Sequence, residues 1–261
     1  MINNVEVFAH RGWSGPHPEM TRGAFTAAID LARERGVRLG IECDVHFTAD
    51  GELGCLHDAG LLRTAGIDKP MIDCSLDDLA KIDFGAWRTD LGELSEADSR
   101  FTSLRDLFEL VRDARADGVD VHLAVETKHP VPRDTEVEDA LAALLVEFGW
   151  DTEGAPVRMI TFDPTAIVRM RGLIPALPLT YLISRSEAWP CDGITADMAI
   201  GPSALMLRDD PALASRVTGA GHECHVWTVN EVEHIEAALD LGLTALTTDH
   251  PDRVLDALAR R

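Results

Sequence analysis

Apolar residues along this chain recur in two alternating patterns, short runs with a period of two and longer stretches with helical spacing. Runs with strand character fall at residues 5–9, 39–45, 53–57, 121–126, 157–162, 179–183, 223–229 and 244–247. Between most of them the spacing turns helical. Residues 21–35 place Phe25, Ala28, Ile29 and Ala32 on one helical stripe, with Gly36 as the stop signal. Ser103 opens a second helix with an S-x-x-D cap and a stripe of Leu104, Leu107, Phe108 and Val111. Asp163-Pro164 opens a third, and Asn230 with residues 231–241 a fourth. Eight β-runs with interleaved helices in 261 residues predict an α/β chain folded as one (β/α)8 TIM barrel over 1–261. An open doubly wound sheet would call for a glycine-rich fingerprint after the first strand, and none follows it.

One stretch breaks the rhythm. Residues from about 59 to 101 hold several glycines, mixed charges and weak periodicity, and are predicted to be an insertion over one end of the barrel.

Strand alternation then sorts side chains by face. In 39–46, Leu39, Ile41, Cys43 and Val45 suit the helix layer, which turns Gly40, Glu42, Asp44 and His46 inward. By the same rule Ala124, Glu126 and Lys128 point inward from 121–128, and Phe8 and His10 from the first strand. Charges inside a barrel are costly unless paired or bound to metal, so three strands delivering them to one end predict a site. Asp50-Gly51 reads as a two-residue hairpin loop, pairing Ala49 with Glu52 and Asp44 with His57.

Glu42, Asp44 and Glu126 offer only oxygen, a set suited to one hard divalent cation, Ca²⁺ or Mg²⁺. His10 and His57 are left as candidate general acid and base. Arg11 and Lys128 add the positive charge that phosphoryl oxygens require. The combination predicts phosphodiester chemistry. His46 shares the inward face and is a candidate for the rim, whereas His17, His122, His129, His222, His225, His234 and His250 read as solvated or hydrogen-bonded structural residues.

Composition narrows the partners. With 24 Lys+Arg against 45 Asp+Glu, the formal charge is −21, which disfavours nucleic acid and anionic membrane faces. A small-molecule substrate is expected, with no membrane insertion, and the oligomeric state is left open. The first nine residues lack a signal peptide's basic and apolar segments, and the five scattered cysteines form no C-x-x-C pair. A cytoplasmic protein is the expectation.

The run His10-Arg11-Gly12, Pro18-Glu19-Met20-Thr21, Ile41-Glu42-Cys43-Asp44-Val45, Asp50-Gly51 and His57-Asp58 resembles the glycerophosphodiester phosphodiesterase family. Val125-Glu126-Thr127-Lys128, Trp227-Thr228-Val229-Asn230 and Thr248-Asp249-His250-Pro251 follow in the family's order, so the resemblance spans nearly the whole chain. It implies a TIM barrel with a small insertion after the His-Asp motif. It also implies hydrolysis of glycerophosphodiesters to sn-glycerol 3-phosphate and an alcohol. Glu42, Asp44 and Glu126 match its metal ligands, His10 and His57 its acid–base pair, and Arg11 and Lys128 its phosphate contacts. Glu19 falls in a substrate-side motif, and Trp227 matches a wall of the glycerol pocket. Trp87 would add to the site from the insertion. The chain departs from the family at Met20, where asparagine is usual and a loop-fixing amide is therefore lost.

Three rivals remain. A sphingomyelinase-D-like phospholipase would keep the same histidines and carboxylates but should show exposed apolar loops or disulfides. A non-catalytic metal-binding barrel has no need of two histidines beside two cations. A metal-dependent amide hydrolase would favour histidine-rich ligands.

Overall fold

Local sequence signals set the first crossover. Thr21 caps the helix Arg22–Arg35 (α1) by accepting from the Ala24 amide, and Gly36 ends it in the left-handed conformation. Ser103 and Asp106 form a reciprocal capping box on Leu104–Ala116 (α5). The computed structural model describes residues 5–92, 94–131, 133, 136–185 and 188–261. Among them, eight parallel strands form the barrel: Glu6–Ala9 (β1), Leu39–Phe47 (β2), Val121–Thr127 (β4), Val157–Thr161 (β5), Leu179–Ile183 (β6), Ala199–Pro202 (β7), His225–Val226 (β8) and Ala245–Thr248 (β9). β7 and β8 complete the circle through two parallel bridges, Ile200 to Cys224 and Ser203 to Trp227. The ninth strand, Leu53–Cys55 (β3), pairs antiparallel with β2 and stands outside the ring. The chain is a (β/α)8 TIM barrel.

Two sequence expectations need correction here. Residues 53–57 were counted toward the eight barrel strands, but that place belongs to β7. The β7 sequence Ala-Ile-Gly-Pro carries two residues that argue against a strand, so its pattern is silent. The hairpin is also one residue out of the predicted register: Val45 pairs with Cys55, His46 with Gly54 and Phe47 with Leu53. The loop holds three residues, Ala49 to Gly51, with Gly51 at φ 81° and its amide donating to the Thr48 carbonyl. Asp44 therefore lies opposite Leu56, whose amide it accepts, and His57 falls one residue beyond.

Between barrel and helices lies the main core, with Val7, Ile41, Cys43, Leu123, Val125 and Met159 packed against Phe25, Phe108, Leu141 and Ile167. The barrel interior is thinner, built from Phe8, Ala124, Ile160, Leu182 and Ala245 beneath Trp227. Helices Val137–Glu147 (α6), Pro164–Leu173 (α7), Ala204–Asp209 (α8), Ala212–Gly219 (α9), Val232–Asp240 (α10) and Pro251–Ala259 (α11) complete the layer. Among the described residues of 59–101 lie three short α-helices, Leu62–Ala65 (α2), Leu76–Leu79 (α3) and Glu96–Ser99 (α4), and a 3₁₀ turn at Met71–Asp73, and with Leu56 the stretch forms a separate small core of Leu61, Met71, Cys74, Leu79, Phe84 and Phe101.

Below the interior apolar layer sits a buried polar layer. Arg158 donates to Thr180 Oγ1 at 2.9 Å and to His225 Nδ1 at 3.0 Å, and His225 Nε2 donates to Glu223 at 3.1 Å. His122 is buried edge-on to Phe8; its Nε2 lies 3.8 Å from Glu6 Oε2, and among the described residues neither ring nitrogen meets a side-chain partner at hydrogen-bonding distance. It is thus buried rather than solvated. Burial and the charges of Arg38, Arg158 and Arg115 push its pKa down to about 3. Burial and Arg158 push His225 down to about 4.

Both histidines fold as neutral groups, while the unfolded chain binds their protons near pH 6.5. Stability should be fully present above that pH and fall as pH drops from 6.5 toward 4, by up to about 1.4 kcal/mol per pH unit for each histidine. In urea unfolding measured across this range, His122→Gln should flatten the slope by up to one proton. An unchanged slope would mean that His122 protonates as freely in the native state as in the unfolded chain.

Candidate functional site

The site is assembled at the C-terminal ends of β1, β2 and β4, where this architecture concentrates its loops. Asp44 and Glu126 are register partners on adjacent strands, and Glu42 lies one inward position below Asp44. Ligand oxygens of Glu42, Asp44 and Glu126 lie within 4.8 Å of one another, and all three residues are buried. Burial and the neighbouring Asp44 charge push the Glu42 carboxyl up to about 7, against the opposing pull of His10 and Arg11. The same two causes, burial and Asp44, raise Glu126 well above the carboxylate range. Burial also works against the Asp44 anion, but Lys128 and Arg11 outweigh it and hold Asp44 below its ordinary value.

Cations and donors converge on these acids. The Lys128 ammonium stands 2.6 Å from both Asp44 Oδ1 and Glu126 Oε1. Arg11 donates its backbone N–H to Glu42 Oε2 at 2.8 Å, and its Nε lies 3.6 Å from Asp44 Oδ2. That amide is aimed by the backbone: Arg11 and Gly12 both take positive φ, 57° and 79°, directly after β1. The Arg11 side chain itself turns to Glu19, at 2.8 Å, instead of standing free. Met20 also has positive φ, 61°, a conformation asparagine tolerates better than methionine. Here the Met20 side chain is buried in the main core, and its amide donates to the Arg11 carbonyl, so the loop is held without the family's amide.

The two histidines sit differently. His10 Nδ1 donates to Asp249 at 2.6 Å, leaving Nε2 toward Glu42 at 4.0 Å. Burial pulls its pKa down, but Asp249 and Glu42 prevail and raise it. His57 is more open, donates from Nδ1 to Asp58 at 2.7 Å, and is lowered chiefly by burial. Hydrogen bonds from Arg63 and His57 hold Asp58 down at about 2. His46 is buried and pairs its Nε2 with the His57 carbonyl at 3.1 Å. Trp227 donates Nε1 to the Gly201 carbonyl, meets Phe162 edge-on, and with His10, Glu42, Glu126 and Phe8 lines a cavity of 40 Å³. The guanidiniums of Arg63 and Arg88 lie over the Trp87 ring, 5.7 and 5.5 Å from its centroid.

Some functional neighbours had no role in the sequence reading. Asp249 takes hydrogen bonds from His10, Ser14 and Asn230, so Asn230 serves the site, while Glu231 occupies the cap position of α10. Both residues lie in the quoted motifs, and their pairing across 19 positions is the signal that periodicity does not carry.

The glycerophosphoryl diester phosphodiesterase family model matches residues 10–253. A Mycobacterium tuberculosis protein named probable glycerophosphodiester phosphodiesterase 1 is 35% identical over 257 residues, covering 95% of this chain and 90% of that protein. A glycerophosphodiester phosphodiesterase of Caldanaerobacter subterraneus is 27% identical, with 97% and 98% covered. Among solved structures, an Oleispira antarctica phosphodiesterase in complex with the product sn-glycerol-3-phosphate aligns with a TM-score of 0.81. It is 23% identical and covers 97% of this chain and 96% of its own, so the likeness is one of fold.

The turn that aims the Arg11 amide depends on Gly12. A Cβ there would stand 2.7 Å from the Ala24 carbonyl carbon in a conformation that L side chains rarely adopt. Gly12→Ala should destabilise the protein by about 1–3 kcal/mol in urea unfolding. A change under about 0.5 kcal/mol, the scale of an ordinary surface substitution, would show that the turn is not tightly constrained.

Proposed function

The chain belongs to the glycerophosphoryl diester phosphodiesterase family, and on that premise we propose that it hydrolyses small glycerophosphodiesters to sn-glycerol 3-phosphate and an alcohol. The observation that carries the reading is the meeting of three buried carboxylates, two histidines and two cations at one end of the barrel. We read 1–261 as one catalytic domain, with residues 59–101 bordering its site. Among the described residues no helix is long and apolar enough to cross a membrane. The odd, scattered cysteines suit the cytoplasm, the compartment we assign.

One divalent cation, Ca²⁺ or Mg²⁺, fits Glu42, Asp44 and Glu126. The donors are hard oxygens, and the buried Asp44 Oδ2 accepts no hydrogen bond among the described residues. Bound there, the cation supplies positive charge to a phosphoryl oxygen. Arg11 and Lys128 add charge from the protein side, favouring the anion and its charge-rich transition state. Glu19 holds Arg11 in place, and Trp227 offers an apolar wall to the glycerol carbons.

His10 and His57 divide the proton work. Each donates Nδ1–H to a carboxylate, which leaves Nε2 as the working atom. One removes a proton from the attacking oxygen and the other gives one to the departing alkoxide. Their different settings, one enclosed beside Glu42 and one open on the loop after β3, suit a division between the two ends of a phosphodiester.

The test is glycerol 3-phosphate release from a panel of glycerophosphodiesters, repeated with chelator and after Mg²⁺ or Ca²⁺ is restored. Chelation should abolish turnover. His10→Ala and His57→Ala should each cost on the order of 10²–10⁴-fold. On a nitrophenyl phosphodiester, whose leaving group hardly needs a proton, only the variant lacking the acid should recover. Equal losses for both variants on both substrates would overturn the division of roles, and full activity after rigorous chelation would overturn the metal.

A further inference from the structure

We propose that Arg63 is a positioning residue that sets the His57 imidazole and the Arg11 guanidinium relative to each other. The inference rests on the proposed roles of those two groups. Arg63 lies on α2 in the insertion, five residues beyond Asp58. Its guanidinium grips two carboxylates at once. Nε and Nη2 donate to Asp58 at 2.7 and 3.3 Å, and Nη1 and Nη2 donate to Glu19 at 2.9 and 2.7 Å. Each carboxylate also accepts from a site residue, and Arg63 Nη2 shares the accepting oxygen in both cases: Asp58 Oδ1 accepts from His57 Nδ1 at 2.7 Å, and Glu19 Oε1 accepts from Arg11 Nη1 at 2.8 Å. The result is a continuous line of hydrogen bonds, His57–Asp58–Arg63–Glu19–Arg11, with a single guanidinium at its centre.

Fastening the insertion to the barrel does not account for this arrangement. Arg88 already does so, donating to the backbone carbonyls of Ser14, Gly15 and His17 at 2.9–3.1 Å. Half-exposed ion pairs such as those of Arg63 contribute little to stability, typically 0–1 kcal/mol. What they do provide is geometry. A planar fork with donors on three nitrogens can hold each of two carboxylates by two N–H bonds in a fixed orientation, whereas an ammonium has only three donors on a freely rotating head. With both Asp58 oxygens held by Arg63, Oδ1 stays aimed at His57 Nδ1, which fixes the tautomer and the direction of Nε2. With Glu19 held likewise, Arg11 keeps its reach toward the acids. Trp87, 5.7 Å from the Arg63 guanidinium, backs the fork.

The test compares Arg63→Lys, Arg63→Gln, Asp58→Asn and the double variant Asp58→Asn/Arg63→Gln, with circular dichroism melting as the check on folding. Arg63→Gln should lower kcat on the order of 10-fold or more while KM rises, because both groups lose their aim. Arg63→Lys should fail to rescue. The double variant should be within about two-fold of the worse single variant, the mark of two residues acting through one line. Long-range ¹H–¹⁵N correlation should find His57 as a single Nδ1–H tautomer in the wild type and as a mixture in Arg63→Gln. That readout needs no turnover, so absence of glycerol 3-phosphate release by the wild type would sink the functional reading and leave the positioning claim to stand or fall on the tautomer. Wild-type kinetics in Arg63→Lys, multiplying losses in the double variant, or an unchanged tautomer would each overturn the proposal.

Discussion

Two carboxylates facing each other on adjacent parallel strands, with a third one inward step below, form the constraint on which the rest of this site depends. Asp44 and Glu126 are register partners, and Glu42 shares their face. Like charges in that position repel, and burial removes the water that would screen them. The fold answers with an ammonium from the end of the same strand, Lys128, and with a backbone amide from the neighbouring strand, Arg11. Even so, burial and mutual repulsion raise Glu42 and Glu126 above the carboxylate range, and the cluster is one that could hold a metal ion.

The strained turn after β1 follows from the same requirement. An amide pointing at Glu42 needs Arg11 in the left-handed region, and the reversal needs Gly12 because the Ala24 backbone occupies the space of a side chain. Around this inner set lies a ring of carboxylates that aim rather than bind. Asp249 fixes His10, Asp58 fixes His57 and Glu19 fixes Arg11. Two of the three are reached by Arg63, from a stretch that packs around its own small core.

Much of this was legible in the sequence because strand alternation is a local property. Apolar Ile41, Cys43 and Val45 fixed the outward face of β2, and so the inward face of Glu42 and Asp44. The helix starts at Ser103 and Asp163 were legible for the same reason. The failures are non-local or too short to carry a pattern. Ala199–Pro202 becomes a strand only because β6 and the bridges to Cys224 and Trp227 enforce it. The hairpin slipped by one residue because Asp50-Gly51 serves a three-residue loop as well as a two-residue one. Asp249 and Arg63 act through partners far along the chain, and the burial of His122 against Phe8 is likewise a contact distant in sequence.

The central claim is that Glu42, Asp44 and Glu126 share one divalent cation at the place where the phosphodiester is hydrolysed. A crystal structure of the protein grown with Mn²⁺ and glycerol 3-phosphate tests it directly through anomalous scattering. The account predicts one anomalous peak bonded to oxygens of all three carboxylates, with the phosphate on the same ion and within reach of Arg11 and Lys128. A peak elsewhere, or a phosphate seated away from these residues, would contradict it.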